Sequence, residues 1–250
     1  MKNRFTIMLP VSRSNLPLAN ECINHLLKNC DLNIIVVDDN GQDIDYTNHS
    51  RVSFIHTLST LRLPLVKIWN QCIKECPTEY VILAAWRQRP TPKHFDIIQE
   101  KLNEGYGIVD FSGLHFFALS KYLTTILGFF DEGFTGGQFE DTDWYNRLKT
   151  NNIGIYCEII PEQKSINGKF VHSTWLNGSA ENEIYYNTKW TEDDSTGTLI
   201  QKKEELNYTD RKTYMEIYSN RLYKKWNKSV LTENLTSYYN LYNKFIKNII

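Results

Sequence analysis

The feature that most constrains the fold is Leu32-Asn-Ile-Ile-Val-Val-Asp38-Asp39, a run that is apolar after Asn33 and ends on two acids. A strand with one wet face alternates apolar and polar residues. An unbroken run needs cover on both faces, as in a parallel sheet lying between helices. The flanking sequence fits that arrangement. Phe5–Val11, Val52–His56 and Tyr80–Ala84 read as further strands. Apolar residues at helical spacing mark Leu16–Asn29, with Asn15 placed to cap it, then about Pro64–Glu75, and a third helix opened by Pro92 and running to about Asn103. This β-α-β-α-β-α alternation predicts an α/β fold with a doubly wound, mostly parallel sheet. Ile108–Phe111 and Leu114–Leu119 follow as short strands, Lys121–Leu127 as a short helix and Ile153–Glu158 as a returning strand.

In such sheets ligands lie beyond the carboxyl ends of the strands. That places Pro10, Val11, Ser12 and Arg13, the pair Asp38 and Asp39, and the loop Ala85-Trp86-Arg87-Gln88-Arg89 around one crevice. Carboxylates there can accept hydrogen bonds from a base N–H or a sugar hydroxyl. The plain alternative is a polar strand end that organises its own loop.

The richest stretch runs from Gly128 to Leu148. The turn Gly136-Gly137 leads into Glu140, Asp141 and Asp143, and then into a helix with Trp144, Leu148 and Tyr145 inward. Acids in a first helical turn suit the helix macrodipole, which is the plain reading. Phe129, Phe130, Phe134 and Phe139 are apolar neighbours able to desolvate a carboxylate and raise its basicity, which makes Asp141 a candidate general base.

The segment Leu114 to Leu148 resembles the C-terminal half of a family 2 glycosyltransferase with the GT-A fold. The resemblance is carried by His115-Phe116-Phe117-Ala118-Leu119-Ser120, then Gly128-Phe129-Phe130-Asp131-Glu132-Gly133-Phe134, then Glu140-Asp141-Thr142-Asp143-Trp144-Tyr145-Asn146-Arg147-Leu148. It implies a Rossmann-like GT-A sheet flanked by helices and transfer of a sugar from a nucleotide-diphosphate sugar, with UDP as the expected nucleotide and an inverting outcome. Asp141 is then the base that deprotonates the acceptor hydroxyl, and Glu140 or Asp143 contacts the acceptor or orients the loop. Pro10-Val11-Ser12 resembles the family's opening motif, and Asp38-Asp39 resembles its nucleoside-binding acids. His172 stands where relatives often place a histidine near the donor diphosphate. Asn182 to Trp190 resembles a Tyr-x-x-Lys-Trp segment whose aromatics either stack on a sugar or pack.

One departure is clear. Family members usually carry Asp-x-Asp after the fourth strand, holding a divalent cation on the diphosphate. Here Ala85 and Arg87 occupy those positions, and no carboxylate remains in the loop. Mg²⁺ and Mn²⁺ require oxygen ligands. No cofactor is therefore expected, with an Mn²⁺ or Mg²⁺ ion left as an open alternative. Arg87 and Arg89 are expected to neutralise the diphosphate directly. The competing reading is a non-catalytic GT-A-like module that binds nucleotide or glycan. A dinucleotide enzyme is disfavoured, since no Gly-x-Gly-x-x-Gly follows the first strand.

The chain has 250 residues, 41% hydrophobic and 23% charged, with a net charge of −1. It can bury a sizeable core, and its balance demands no polyanionic partner. Five cysteines, Cys22, Cys30, Cys72, Cys76 and Cys157, are irregularly spaced and read as reduced thiols of a cytoplasmic protein. No apolar stretch is long enough to span a membrane. The expected organisation is a catalytic domain over 1–190, a polar linker over 191–205 and a C-terminal helical appendage over 206–250. That appendage is open to homo-oligomer formation or, through Lys244 and Lys247, to weak membrane contact. The acceptor is unspecified: glycan, lipid, protein or modified nucleobase.

Overall fold

The structure is a computed structural model that describes residues 3–11, 16–38, 48–56, 65–111, 113–134, 139–158, 165–166, 169–170, 179–192 and 199–201. Seven strands form the main sheet: β1 (Phe5–Val11), β2 (Asn33–Asp38), β3 (Val52–His56), β4 (Tyr80–Ala84), β5 (Ile108–Phe111), β6 (Phe116–Ser120) and β7 (Ile155–Glu158). Their order is β3-β2-β1-β4-β6-β5-β7. All neighbours pair in parallel except β6, which runs antiparallel to both β4 and β5. The α/β, mostly parallel expectation therefore holds.

Alternation along each strand sends residues to two separate cores. Phe5, Ile7, Leu9 and Val11 pack with Ala19, Cys22, Ile23 and Leu26 of α1 (Leu16–Asn29) and with Phe95, Ile98 and Leu102 of α3 (Pro92–Asn103). Met8, Val37, Val81 and Leu83 face the other way, toward α2 (Leu65–Glu75), α4 (Leu123–Leu127) and α5 (Glu140–Thr150). Two-sided burial is the physical reason that β2 carries no alternation. The half-exposed strands β3 and β7 form the edges.

Three boundaries differ from the sequence reading. The strand expected from Leu114 starts at Phe116, because Gly113 and Leu114 take left-handed φ values of 69° and 59° and turn the chain. The returning strand starts at Ile155, because the Ile153 N–H still bonds to the Leu148 carbonyl at the end of α5. The segment read as a linker contains a hairpin instead. It is built from β10 (Trp190–Glu192) and β11 (Leu199–Gln201), antiparallel. Trp190 is buried and β11 packs against α5, so residues 190–201 belong, where described, to the folded unit. A helix that the sequence reading did not assign, α6 (Ser179–Lys189), precedes the hairpin. Two short strands, β8 (Ser165–Ile166) and β9 (Lys169–Phe170), pair antiparallel before it. The proposed appendage, 206–250, lies outside the described residues.

Asn70 ties α2 to the segment that leads into α5. Its amide donates to the Phe130 carbonyl at 2.8 Å and accepts from the Phe130 N–H at 2.9 Å, and the residue is buried. Phe130 in turn stacks on Trp144 of α5, with ring centroids 4.4 Å apart. Asn70→Leu is expected to orphan both backbone groups and to destabilise the protein by about 2–4 kcal/mol, measured by urea denaturation.

Candidate active site

The carboxyl ends of the parallel strands are aligned by register: Val11 lies beside Asp38, and Asp38 beside His56. The loop after β4 closes the same edge, since the Ala85 N–H donates to the His115 carbonyl in the β5–β6 turn at 2.7 Å. Asp110, near the end of β5, fixes that turn. Its carboxylate accepts from the Gly113 N–H at 3.1 Å, the Leu114 N–H at 2.7 Å and the Tyr145 hydroxyl. Tyr145 stands one turn after Asp141 on α5, so this bond brings the acidic start of α5 to the ligand edge. Asp110 is 2% exposed, and burial pushes its pKa up to about 6 although these donors and His115 pull it down.

Glu140, Asp141 and Asp143 occupy three different environments. Asp143 is fully buried. Its Oδ2 pairs with Arg147 Nη2 at 2.8 Å, and its Oδ1 with Lys189 Nζ at 2.7 Å and the Trp190 indole N–H at 2.8 Å. Lys189 also bridges to Asp131 at 2.9 Å, where the Tyr185 hydroxyl donates as well. Arg147 Nη1 donates to the carbonyls of Leu127 and Phe129. Asp143 is therefore the anion of an internal network joining α4, α5 and α6. Of the two roles expected of it, contact with the acceptor or orientation of the loop, these contacts favour the second. The same contacts decide the reading of Lys189 and Trp190: they pack and pair with Asp143.

Asp141 is partly buried. Burial raises its pKa, against the Thr142 N–H at 2.7 Å, the Thr142 hydroxyl and the nearby His115. Glu140 is 5% exposed and its Oε2 has no hydrogen-bond partner among the described residues. Burial, reinforced by the charge of Asp141, pushes Glu140 up to about 8. Phe139 begins the helix at a left-handed φ of 67° and offers no capping side chain. A non-glycine residue in this region is strained.

The crevice residues divide likewise. Asp38 is fully buried, with Oδ2 3.7 Å from His56 Nδ1. Val11 is a core side chain, which leaves only its backbone for a ligand, while Pro10 is half-buried. Ala85 and Trp86 are half-buried, and the Arg87 guanidinium lies 5.8 Å from the Trp86 ring centroid. Arg89 turns back into the protein. Its Nη1 donates to the carbonyls of Trp86 and Gln88, and its Nη2 faces Glu21 of α1 at 3.7 Å. The expectation that Arg89 meets a diphosphate is corrected: its donors shape its own loop. Ser12, Arg13, Asp39 and His172 lie outside the described residues.

A divalent cation at the β4–α3 loop would need anionic oxygens, and this loop holds none. Among the described residues no three His, Cys, Asp or Glu side chains are grouped to hold a metal ion. These residues do not fit such an ion. Sequence reasoning passed over Asp110, Lys189 and the side chain of His115. An acid inside the apolar strand Ile-Val-Asp-Phe was the available signal for the first.

Comparison with solved structures identifies the fold. The mannosyltransferase PcManGT from Pyrobaculum calidifontis, solved with GDP-Man and Mn2+, superposes with a TM-score of 0.53 at 14% identity, over 67% of this chain and 59% of that one. TarS from S. aureus gives 0.45 at 13%, over 63% and 58%. Glucosyl-3-phosphoglycerate synthase from Mycobacterium tuberculosis, solved with Mn2+, UDP and glucosyl-3-phosphoglycerate, gives 0.47 at 13%, over 66% and 73%. The chain thus spans less than two thirds of the length of the first two. No family model and no curated protein sequence matches it. The chain has the GT-A glycosyltransferase fold. Among the described residues, no helix is long and apolar enough to cross a membrane.

Two predictions follow from the buried network and the turn. Lys189→Met leaves Asp131 and Asp143 short of a cation and is expected to cost about 3 kcal/mol of stability. Burial raises the pKa of Asp131, but Lys189, Tyr185 and the Gly133 N–H outweigh it and hold Asp131 below its ordinary 3.8. Its stabilisation is present above that value and is lost as pH falls through the folded pKa. The deficit of the variant should therefore shrink in acid denaturation series below pH 3.8. Tyr145→Phe removes a donor to Asp110, so Asp110 should titrate above the value it has in the wild type, read by carboxyl-carbon NMR.

Proposed function

We propose that the chain is a glycosyltransferase that moves a sugar from a nucleotide-diphosphate sugar to an acceptor hydroxyl. The observation that carries this reading is Asp141: a partly buried carboxyl of raised basicity, at the start of α5, on the ligand edge of a GT-A sheet. In the reaction Asp141 takes the proton of the acceptor hydroxyl as its oxygen attacks the anomeric carbon. The nucleoside diphosphate leaves from the opposite face, so the configuration inverts. Family resemblance favours UDP as the nucleotide. Pro10, the backbone of Val11, Ser12, Arg13, Asp38 and Asp39 form the proposed nucleoside side of the crevice. Ala85, Trp86, Arg87 and His172 form its diphosphate side. Arg87 supplies positive charge for the leaving group, where a guanidinium can bind phosphate oxygens in pairs.

A second reading has one specific observation in its favour: the carboxylate-free β4–α3 loop suits a module that binds nucleotide or glycan without turnover.

Asp141→Asn should abolish transfer from a panel of UDP- and GDP-sugars while leaving nucleotide affinity nearly unchanged, because the base acts on the acceptor. Wild-type turnover in this variant would end the assignment. Inactive wild type with measurable nucleotide binding would select the second reading. Arg87→Ala is expected to weaken nucleotide binding by about 1.5–3 kcal/mol, by calorimetry. Binding should also survive a strong chelator; strict Mn²⁺ or Mg²⁺ dependence would overturn the direct role of Arg87.

A further inference from the structure

The peptide between Pro90 and Thr91 is held at both of its polar ends by histidine rings. Its carbonyl lies 2.8 Å from Nε2 of His25 on α1, and its N–H lies 2.9 Å from Nδ1 of His94 on α3. Hydrogen-bond chemistry fixes both rings. A carbonyl only accepts, so Nε2 of His25 carries a hydrogen. Asn29 Nδ2, 3.3 Å from the same nitrogen, donates instead to the His25 carbonyl at 2.7 Å. A backbone N–H only donates, so Nδ1 of His94 presents a bare lone pair and the ring is neutral, with its hydrogen on Nε2. The Thr91 hydroxyl, 2.9 Å from that Nδ1, donates to it as well.

This peptide ends the loop that carries Arg87. Within the loop, the Gln88 N–H bonds to the Ala85 carbonyl at 2.9 Å, and Arg89 Nη1 binds the carbonyls of Trp86 and Gln88, so residues 85–89 form one internally tied turn. Pro90 and Pro92 have fixed φ and no N–H, which leaves Thr91 the single backbone donor across residues 90–92. Its bond to His94 also closes a capping box at the start of α3. His94 is buried and lies edge-on to Phe111 of β5, with ring centroids 5.3 Å apart. The charged groups that act on it are Glu158 of β7 and Lys93 of α3. Burial lowers the pKa of His94 below its ordinary 6.5; Lys93 adds to this, and Glu158 and the Thr91 backbone act the other way. The neutral ring that the geometry requires is thus the form favoured at neutral pH.

We propose that His25 and His94 are positioning residues that clamp the Arg87 loop, and that a proton on Nδ1 of His94 opens the clamp and loosens the loop at its α3 end. A hydrogen on Nδ1 faces the Thr91 N–H donor to donor and keeps only the Thr91 hydroxyl as a partner. His25 donates from Nε2 whether its ring is neutral or charged, so acid breaks one side of the clamp and spares the other. The clamp itself does not rest on the glycosyl-transfer reading; its effect on a nucleotide does, through Arg87.

The test begins without ligand. Ring-nitrogen NMR on the full chain should show Nδ1 of neutral His94 without a hydrogen and Nε2 of His25 with one, the variants His94→Gln and His25→Gln assigning the signals. Between about pH 8 and about pH 5 the Thr91 amide and the Trp86 indole signals should move with the His94 midpoint, itself below 6.5. Glutamine is an acceptor at this capping position that does not titrate, so His94→Gln should remove that movement. His94→Leu, which has no acceptor, should hold the Trp86 signal near its acid position at every pH. A hydrogen on Nδ1 of the neutral ring would overturn the proposal. So would a Trp86 signal that ignores the His94 midpoint, or one that moves equally in His94→Gln. Calorimetry with UDP then reads what the loop does. From about pH 8 to about pH 5, wild-type affinity should fall about threefold or more relative to His94→Gln, a ratio that cancels Asp110 and the other carboxyls. A constant ratio would refute the effect on the loop. Wild type that binds no nucleotide at any pH would count against the glycosyl-transfer reading instead, and the ring, amide and indole signals would still decide the clamp.

Discussion

The described structure depends on how one helix start takes acidic side chains into the interior. At α5 the chain buries Glu140 and Asp143 and half-buries Asp141 within a single turn. The positive end of the helix dipole offsets only a small part of that cost. Compensation goes almost entirely to Asp143. Arg147 reaches it from the next turn of the same helix, and Lys189 and Trp190 reach it from the end of α6 and the start of β10. Lys189 and Arg147 then extend the network to Asp131 and to the carbonyls of Leu127 and Phe129. One neutralised carboxylate thus holds three helices and the hairpin strand β10 in register. Asp141 instead accepts from the Thr142 N–H and hydroxyl, and neither it nor Glu140 joins this network.

Much of the sheet was legible because its signal is local. Unbroken apolar runs specify strands covered on both faces, and β1, β2 and β4 fall where those runs lie. The helix spans of α1 and α3 follow from apolar spacing and, for α3, from Pro92 at its first position. Less legible were features decided by tertiary partners. The turn at 113–115 depends on Asp110, whose hydrogen-bond donors cannot be read from the strand alone. Among the three acids, Asp143 and Asp141 look equivalent in sequence; Arg147, Lys189 and Trp190, which all pair with Asp143, separate them. Arg87 and Arg89 are similarly alike on paper. Glu21 of α1 and two backbone carbonyls draw Arg89 inward, while Arg87 lies half-buried beside Trp86.

The loop after β4 carries arginines where the family pattern places acids. Its backbone is fixed from two sides. Ala85 bonds to the β5–β6 turn, while the Cys22 thiol and the His25 ring of α1 contact the carbonyls of Gln88 and Pro90. Under the proposed reading Arg87 supplies positive charge near the leaving diphosphate. Arginine suits the role because it keeps its proton at any physiological pH and presents paired donors.

Asp110 connects the two halves of the site. The Tyr145 hydroxyl places it against α5, and the Gly113 and Leu114 N–H groups place it under the turn that receives the Ala85 N–H through the His115 carbonyl. A single buried carboxyl therefore sets the spacing between the acidic helix start, where an acceptor would be deprotonated, and the arginine loop, where a leaving group would be stabilised. Displacing either element by an ångström would break a hydrogen bond to a buried acid whose pKa already stands at about 6. Rigid placement of this kind is what a general base requires, since proton transfer demands hydrogen-bond distance before basicity matters. Under the proposed reading Asp110 positions the helix start that bears Asp141, and the strained left-handed turn at Leu114 is the backbone cost of that placement.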